Sequence, residues 1–185
     1  MAADREAALE TLKKHLPNKN LLKHCLAVEA VMRRLAAHFN EDADRWGMAG
    51  LLHDIDYEQT KDEPARHSLV SGAMVKEMGF DDEIVRAVEA HNEYHGLPRD
   101  TRMARALYSS DPLTGLIVAS ALIHPTKKLS AIDAQFVINR FHEKSFAKGA
   151  NRSGIAACSE LGLSLEEFVS LGLEAMRGIS ADLGL

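Results

Sequence analysis

The chain is poor in the residues on which several classes of protein depend. Its 185 residues include two cysteines, Cys25 and Cys158, and each lies in an apolar pattern of helical spacing. We therefore expect buried free thiols in a reducing compartment rather than a disulfide. Aromatic residues make up 5% of the chain, too few for an extended base-stacking surface. The formal net charge of -5 argues against a general nucleic-acid binder and against a basic membrane-surface protein.

Signals for export and for membrane insertion are also lacking. The stretch from Met1 to Glu10 is charged and has no apolar core, so it does not read as a signal peptide. No apolar stretch is expected to be long enough to cross a bilayer. The expected location is therefore the cytoplasm, with no membrane as a partner. The length favours one domain, and the oligomeric state is left open.

Apolar residues recur with helical rather than strand spacing along the whole chain, which predicts an all-α fold in a single domain, residues 1–185. Caps, glycines and prolines set the expected bounds. They predict helices over Ala3–Leu16, from Asn20 as N-cap to Phe39, from Asp42 or Asp44 to His53-Asp54, from Pro64 to Gly79, from Asp81 or Asp82 through His91, and over Arg102–Ile123, Ala131–Glu143 and Leu165–Leu183.

Several local signals refine this prediction. Pro112 predicts a kink or break just after Asp111, because proline removes a backbone donor and crowds the preceding turn. Residues 56–63 are polar and are expected to form a loop. Two segments resemble capping boxes, Ser130 to Asp133 and Ser164 to Glu167, and a shorter helix between them is expected to end at Gly162.

Histidine and aspartate residues beside apolar residues form the most distinctive pattern. A single histidine on an apolar helix face is usually a hydrogen-bonded core residue, but burying several without partners would be costly. A buried carboxylate likewise needs a cation or several donors. One metal centre would satisfy the whole set. Imidazole and carboxylate suit Zn, Mn, Fe, Co or Ni, and the lack of a thiolate argues against a structural zinc finger. The set comprises His24, His53, Asp54, His67, His91 and Asp111.

The order His24, His53-Asp54, Asp111 resembles the H…HD…D signature of the HD superfamily of metal-dependent phosphohydrolases. The segments LLKHCLAVEAVM, AGLLHDID, AVEAHNEYH and ALYSSDPLTG resemble its ligand-bearing segments, across about residues 20–123. His67, in ARHSLVSGAMV, and His91 resemble the additional histidines of its two-metal branch. Residues 124–185 are similar to a small bacterial subgroup of predicted HD hydrolases, as a C-terminal helical extension beside the metal-ligand core.

The resemblance implies a mechanism. His24, His53, Asp54 and Asp111 would bind one divalent transition metal, and Asp54 would bridge to a second ion held by His67 and His91. Fe or Mn is favoured, with Zn, Co, Ni or Mg as the other options. A water shared between the ions would attack a phosphoryl group, with Asp54 in a catalytic role as the residue that orients it. The expected partner is a small phosphorylated substrate, with nucleotides as one class, and not extended nucleic acid.

Other members of the superfamily fit less well. The Gly-Tyr-Pro motif of HD-GYP cyclic-dinucleotide phosphodiesterases is missing after His53-Asp54, and so are the insertions of dNTP triphosphohydrolases. Two alternatives to hydrolysis stay open. One is an HD-type di-iron oxygenase that resembles myo-inositol oxygenase, and the other is a non-catalytic HD module that senses a metal or ligand.

Substrate contacts are the least specified part of the prediction. Lys144, Lys148 and Arg152 form a basic run that is assigned to substrate binding, with a solvated helix-end cluster as the alternative. Asp56 is interpreted as a turn residue rather than a partner of a metal ligand. His95 is interpreted as a polar helix end rather than a substrate contact.

Overall fold

The computed structural model describes residues 4–185, and no strand occurs among them. The all-α prediction is confirmed. The helices are α1 (Arg5–His15), α2 (Lys19–Phe39), α3 (Ala43–Leu52), α4 (Tyr57–Thr60), α5 (Leu69–Glu77), α6 (Asp82–Ala90), α7 (Arg102–Ile123), α8 (Ala134–His142), α9 (Arg152–Ala156), α10 (Leu165–Gly178) and α11 (Ser180–Leu183). Short 3₁₀ helices lie at Glu93–His95, Leu129–Ala131 and Ala157–Leu161.

Among residues 4–185, α2 and α3 make the most extensive contact between two helices, and Gly50 makes their close approach feasible. A β-carbon built on Gly50 would lie 2.9 Å from the backbone carbonyl of Val28, nearer than a real side chain could be. The missing side chain therefore lets the two backbones touch. This contact brings His24 on α2 beside His53 at the C-terminal end of α3.

Helix α7 runs through the centre of the molecule and packs against α2, α6, α8, α9 and α10. It is continuous through Pro112, so of the kink or break predicted after Asp111 the break is wrong. Tertiary packing outweighs the one backbone bond that proline removes, since Leu113, Leu116 and Ile117 on the next turns are fully buried.

The expectation about apolar stretches also needs correction. Helix α7 has 22 residues and contains an 18-residue window with a mean hydropathy of 1.3, so by length and composition alone it passes as a membrane-spanning helix. In the structure 61% of that window is buried against other parts of the chain. Its apolar character is accounted for by its central place in the helical core.

Several predicted caps are confirmed. Asp42 and Asp81 accept hydrogen bonds from the first backbone N–H groups of α3 and α6. Ser164 and Glu167 form a reciprocal capping box at the start of α10, and Gly162 ends the preceding 3₁₀ helix with a φ of 77°. Both cysteines are buried and free, as expected.

Other helix bounds differ from the prediction. The N-cap of α2 is Asn18 rather than Asn20, and the N-cap of α8 is Asp133 rather than Ser130. In both cases a side chain two or three residues away from the predicted position accepts the free backbone N–H groups. The last predicted helix is divided at Ile179, whose φ of -119° and ψ of 23° lie outside the helical region. Ala3, the predicted start of the first helix, lies outside the described residues.

The largest local error concerns residues 56–68. The predicted loop after His53-Asp54 contains the short helix α4, and the helix predicted from Pro64 begins only at Leu69. Ser68 has a φ of 71°, which interrupts any helix from Pro64. The cause is Asp56, whose buried carboxylate accepts the backbone N–H of Ser68 at 3.0 Å and of Ser71 at 3.2 Å.

Candidate metal centre

All six predicted ligands converge on one point in the helical core. They come from five places in the fold, three of them at the end or start of a helix. His24 lies on α2, His53 follows α3, Asp54 is next to it, His67 precedes α5, His91 follows α6 and Asp111 lies on α7. His53, Asp54 and His91 are buried, and the other three are partly exposed on the side that opens to solvent.

One carboxylate oxygen of Asp54, Oδ2, faces the first group of ligands. It lies 3.4 Å from His53 Nε2 and 3.7 Å from His24 Nε2. Asp111 Oδ1 completes this group at 3.0 Å from His24 Nε2 and 3.8 Å from His53 Nε2. Metal–ligand bonds of about 2.0–2.2 Å place adjacent ligand atoms roughly 3–4 Å apart, so these separations fit one ion between the four side chains.

The other oxygen of Asp54, Oδ1, faces the opposite way, towards the second group. It lies 3.3 Å from His91 Nε2 and 3.4 Å from His67 Nε2. Asp54 is thus shared between two sets of imidazoles, one at each oxygen. The spacing of ligand atoms supports the first set, because His24, His53 and Asp111 lie within 4.8 Å of one another. A second group with the same spacing consists of His53, Asp54 and His91, and His67 approaches it through Asp54 Oδ1.

The Nδ1 atoms of the four imidazoles are all held on the outer side of the cluster. His53 Nδ1 lies 2.8 Å from the carbonyl oxygen of Gly50, and His91 Nδ1 lies 2.6 Å from that of Val88. A carbonyl can only accept, so each Nδ1 must carry the proton. In the neutral form of these two rings, Nε2 therefore has its lone pair on the side of Asp54, which is the tautomer a metal ligand needs.

Thr114 fixes the tautomer of His24 in a similar way. Its hydroxyl donates to the backbone carbonyl of Asp111 at 2.9 Å, so its oxygen is free to accept from His24 Nδ1 at 3.2 Å. The neutral form of His24 therefore carries its proton on Nδ1 and points the lone pair of Nε2 inward. Thr114 and Asp111 belong to the same helix, which links the orientations of two ligands.

One polar atom at the centre has no protein partner. His53 Nε2 is fully buried, and no hydrogen bond satisfies it among residues 4–185. A buried polar atom without a partner is costly, so an atom oriented in this way indicates a ligand that the protein itself does not provide. A divalent cation fits this donor set of imidazole nitrogens and carboxylate oxygens.

The charges at the centre favour a bound cation. Burial opposes protonation of His53, but the carboxylates of Asp54 and Asp111 outweigh it and raise its pKa from 6.5 to about 9. Burial also opposes ionisation of Asp54, yet the neighbouring His53 and His91 hold its pKa well below the usual range. Hydrogen bonding from His24 likewise outweighs burial and lowers the pKa of Asp111. Both carboxylates are therefore ionised at neutral pH and attract positive charge.

Asp56 is the functional candidate that the sequence interpretation missed. It is fully buried, and its Oδ1 accepts a hydrogen bond from His67 Nδ1 at 2.9 Å. Burial alone would raise the pKa of Asp56, but the hydrogen bonds from His67 and Ser71 outweigh it and lower the pKa. Asp56 therefore orients His67 towards Asp54 and is not a simple turn residue. The sequence signal for this role was that Asp56 follows Asp54 with one residue, Ile55, between them.

Two adjoining cavities open onto the cluster. One, of about 240 Å³, lies on the side of the second imidazole pair, and its wall includes Glu93, Tyr108 and Asn151. The other, of about 340 Å³, lies over His24 and Asp111 and is bounded by the segment 147–150. Both cavities share Asp111, Pro112 and Gly149, so they form one continuous opening above the ligands. The opening gives a small molecule access to the centre.

The basic run contributes to this opening differently from the prediction. Arg152 donates to backbone carbonyls of the 140–150 segment, including Phe141 at 2.9 Å and Ala150 at 2.8 Å. Its guanidinium thus holds the loop in shape, and a substrate-binding role for it has no support in these contacts. Lys144 and Lys148 are exposed on the same loop and do not line either cavity.

Two other side chains near the centre have structural partners. His95 Nε2 lies 2.8 Å from the backbone carbonyl of His67, so it supports the backbone of a ligand from the end of a 3₁₀ helix. Arg105 donates to the backbone carbonyl of Arg99 at 2.9 Å and does not line either cavity.

The HD domain family matches residues 21–134, a segment that contains all six converging side chains and more than half of the chain. The fold and the site therefore define an HD-type helical domain with a site that could hold a metal. The chain belongs to the HD domain family, whose members are typically metal-dependent phosphohydrolases.

Individual relatives agree with this assignment. Ribonuclease Y of Lawsonia intracellularis is 33% identical over 97 residues, which are 52% of this chain and 18% of the relative. Ribonuclease Y of Nitratidesulfovibrio vulgaris is 31% identical over 98 residues, again 18% of that relative. An uncharacterized protein of Methanocaldococcus jannaschii is 31% identical over 150 residues, covering 75% of this chain and 85% of the relative. The similarity thus spans about a fifth of each ribonuclease Y. No solved structure matches the chain significantly.

Proposed function

We propose that the protein is a metal-dependent phosphohydrolase that cleaves a small phosphate ester at a site for two divalent ions. The observation that carries the proposal is the position of Asp54, whose two oxygens face separate groups of imidazole nitrogens at 3.3–3.7 Å. A carboxylate shared in this way is suited to bridge two cations. Four imidazoles and two carboxylates supply enough ligands for both ions without any further side chain.

Bound divalent ions would lower the pKa of a coordinated water towards neutrality and neutralise negative charge on phosphoryl oxygens. The side chains of the protein supply the ligands and hold them in place. Asp54 and Asp111 provide the anionic ligands, while the hydrogen bonds at the Nδ1 atoms hold the imidazoles in one orientation. The buried floor at His53 keeps bulk water away from the inner side of the cluster, so attack must come from the open side.

The nature of the substrate follows from the walls of the opening. In the described part of the chain, no lysine or arginine lines the two cavities above the cluster, and Glu93 and Asp111 add negative charge there. A phosphate bound at this place would depend on the metal ions for its neutralisation. A long polyanion needs a run of basic contacts, which these cavities do not offer. We therefore propose a small substrate, with a nucleotide as one class.

The ribonuclease Y relatives favour a second candidate, cleavage of a phosphodiester in RNA. Their similarity covers about half of this chain, and the HD family match at residues 21–134 contains the six ligand candidates, which supports phosphoester chemistry at the same type of centre. The net charge of -5 argues against RNA as the substrate. A short single-stranded RNA in the substrate panel described next separates the two candidates.

The experiment is hydrolysis of a panel of phosphomonoesters, phosphodiesters, nucleotides and a short RNA by protein loaded with Mn²⁺ or Fe²⁺. We expect turnover of at least one small ester by the wild type. Asp54→Asn should reduce kcat by at least about a hundredfold, because the interactions of a bridging carboxylate are worth several kcal/mol. Asp100→Asn is the matched control, since Asp100 is exposed outside the site, and it should keep wild-type activity.

The outcomes separate the open alternatives. Oxygen consumption with iron and no ester hydrolysis would support the di-iron oxygenase instead. Metal binding with neither activity would support a sensing module. Full ester hydrolysis by Asp54→Asn would contradict the proposed role of the bridging carboxylate.

A further inference from the structure

A third cavity, which we call the α2/α7 cavity, lies on the His24 side of the candidate metal centre. Its volume is about 540 Å³, and it is the largest of the cavities that adjoin the site. Helices α2 and α7 form its two long walls, and residues 183–185 close one end. None of the roles described above for the ligands uses this space.

The α2/α7 cavity is continuous with the centre. His24 and Gly115 line both it and the cavity over Asp111. A molecule whose phosphate lies beside His24 and Asp111 therefore has a direct path along α7 into the α2/α7 cavity. Gly115 lies where the two cavities meet and forms the threshold of this path. A β-carbon at this position would meet no atom within 4 Å, so the threshold is open.

The walls of the α2/α7 cavity are mostly apolar. Half of their residues are alanine, valine or leucine, and one of these, Leu122 near the end of α7, is 49% exposed. Among residues 4–185, no carboxylate side chain lines the cavity, and Lys23, which does line it, donates to the backbone carbonyl of Leu183 at 2.8 Å. The aliphatic lining consists of Ala27, Val118, Ala119, Leu122, Leu183 and Leu185.

The opposite side of the centre has the reverse character. The cavity beside His67 and His91 is walled by polar groups, and Glu93 there accepts hydrogen bonds from the Tyr108 hydroxyl and from Asn151 Nδ2. A substrate with one apolar and one polar side therefore has a single favourable direction across the ligands. Its apolar side would lie along α7, and its polar side would face Glu93.

We propose that the α2/α7 cavity binds the apolar organic group of the substrate, so that the protein prefers phosphate esters carrying an alkyl or aryl group. This inference rests on the proposed function and adds the class of substrate to it. Burying each methylene contributes roughly 0.8 kcal/mol, which is about a fourfold gain in affinity per carbon. The preference should therefore grow with chain length until the cavity is full.

The test measures binding rather than turnover. Metal-loaded protein is titrated calorimetrically with n-alkylphosphonates from methyl to hexyl, which carry the anionic head but cannot be hydrolysed as esters. For the wild type we expect the affinity to increase by about fourfold per added methylene. Gly115→Leu should abolish the dependence on chain length, because its side chain would fill the threshold. Methylphosphonate affinity should change by less than about twofold.

Two further variants sharpen the test. Gly178→Leu is the matched control, because a β-carbon there also meets nothing within 4 Å and Gly178, at the end of α10, does not line the cavity. It should behave as the wild type does. Ala119→Leu lies in the α2/α7 cavity but not in the cavities above the cluster, so it should flatten the series even if Gly115→Leu disturbs the metal ligands.

Each result has a defined meaning. A wild-type series that is flat from methyl to hexyl, or an unchanged slope in both cavity variants, would overturn the cavity assignment and leave the proposed function standing. A lack of binding by every phosphonate, including methylphosphonate, would count against the phosphate site itself and so against both proposals.

Discussion

Replacing Asp56 by asparagine should weaken one half of the centre and leave the other intact. The Asp56 carboxylate accepts from His67 Nδ1 at 2.9 Å through one oxygen and from the backbone of Ser68 and Ser71 through the other. Asparagine keeps one acceptor, which must face the two backbone N–H groups. Its NH₂ group then faces His67 Nδ1 and donates to it, so the proton of the ring moves to Nε2.

The magnitude follows from that tautomer. A proton on His67 Nε2 removes the lone pair that faces Asp54 Oδ1 at 3.4 Å. Changes of this kind in the partner of a metal ligand typically cost 10–100-fold in metal affinity, or about 1.4–2.8 kcal/mol. His24, His53 and Asp111 do not contact Asp56 and should keep their affinity. The free energy of unfolding of the metal-free protein should fall by about 1–2 kcal/mol, because one charge-assisted hydrogen bond is lost.

The assay is a calorimetric titration of metal-free protein with Mn²⁺. The wild type should show two binding events, and Asp56→Asn should weaken one of them by about 10–100-fold. Asp62→Asn is the matched control, since Asp62 is exposed nearby on the same stretch of chain, and it should match the wild type. Two undiminished events in Asp56→Asn would refute the argument that Asp56 sets the tautomer of His67.

Three further predictions concern stability and reactivity. Gly50→Ala should lower the free energy of unfolding in urea by about 1–3 kcal/mol, because its β-carbon would press on the α2 backbone at 2.9 Å; an unchanged midpoint would contradict the close contact. Burial raises the pKa of Cys158 to about 11 and that of Cys25 well above 9.0, so a thiol reagent at pH 8 should modify neither in the folded protein and both in urea. The hydrogen bond from Arg45 is the largest cause of the lowered pKa of Asp81. The ionised carboxylate therefore stabilises the fold fully above about pH 4, and this contribution to the free energy of unfolding is lost as the pH falls further. Asp81→Asn, which keeps an N-cap, should therefore lose less stability than the wild type between pH 5 and 3, and parallel acid unfolding curves would contradict this.

The sequence predicts the helical class and the convergence of six side chains, since both depend on repeated or linked patterns. Helical spacing recurs over the 182 described residues and is therefore a redundant signal. An error at one cap, such as placing the N-cap of α2 at Asn20 instead of Asn18, does not alter the fold class. The ligand pattern is similarly robust, because His53 and Asp54 are adjacent in the chain and their positions follow from the end of one helix.

The parts that the sequence does not predict depend on contacts between distant residues. Asp56 resembles a turn residue until His67 and the backbone of Ser68 are seen to converge on it. Arg152 resembles a phosphate-binding residue until its guanidinium is seen among backbone carbonyls. In both cases the residue type is compatible with several roles, and only the tertiary position of its partners selects one.

The central claim is that the two oxygens of Asp54 face two separate cation sites. The most direct measurement is an anomalous difference map from a crystal of the protein grown with Mn²⁺. We expect two peaks, one among His24, His53 and Asp111 and one beside His67 and His91, with Asp54 between them. A single peak, or no peak near Asp54, would contradict the claim.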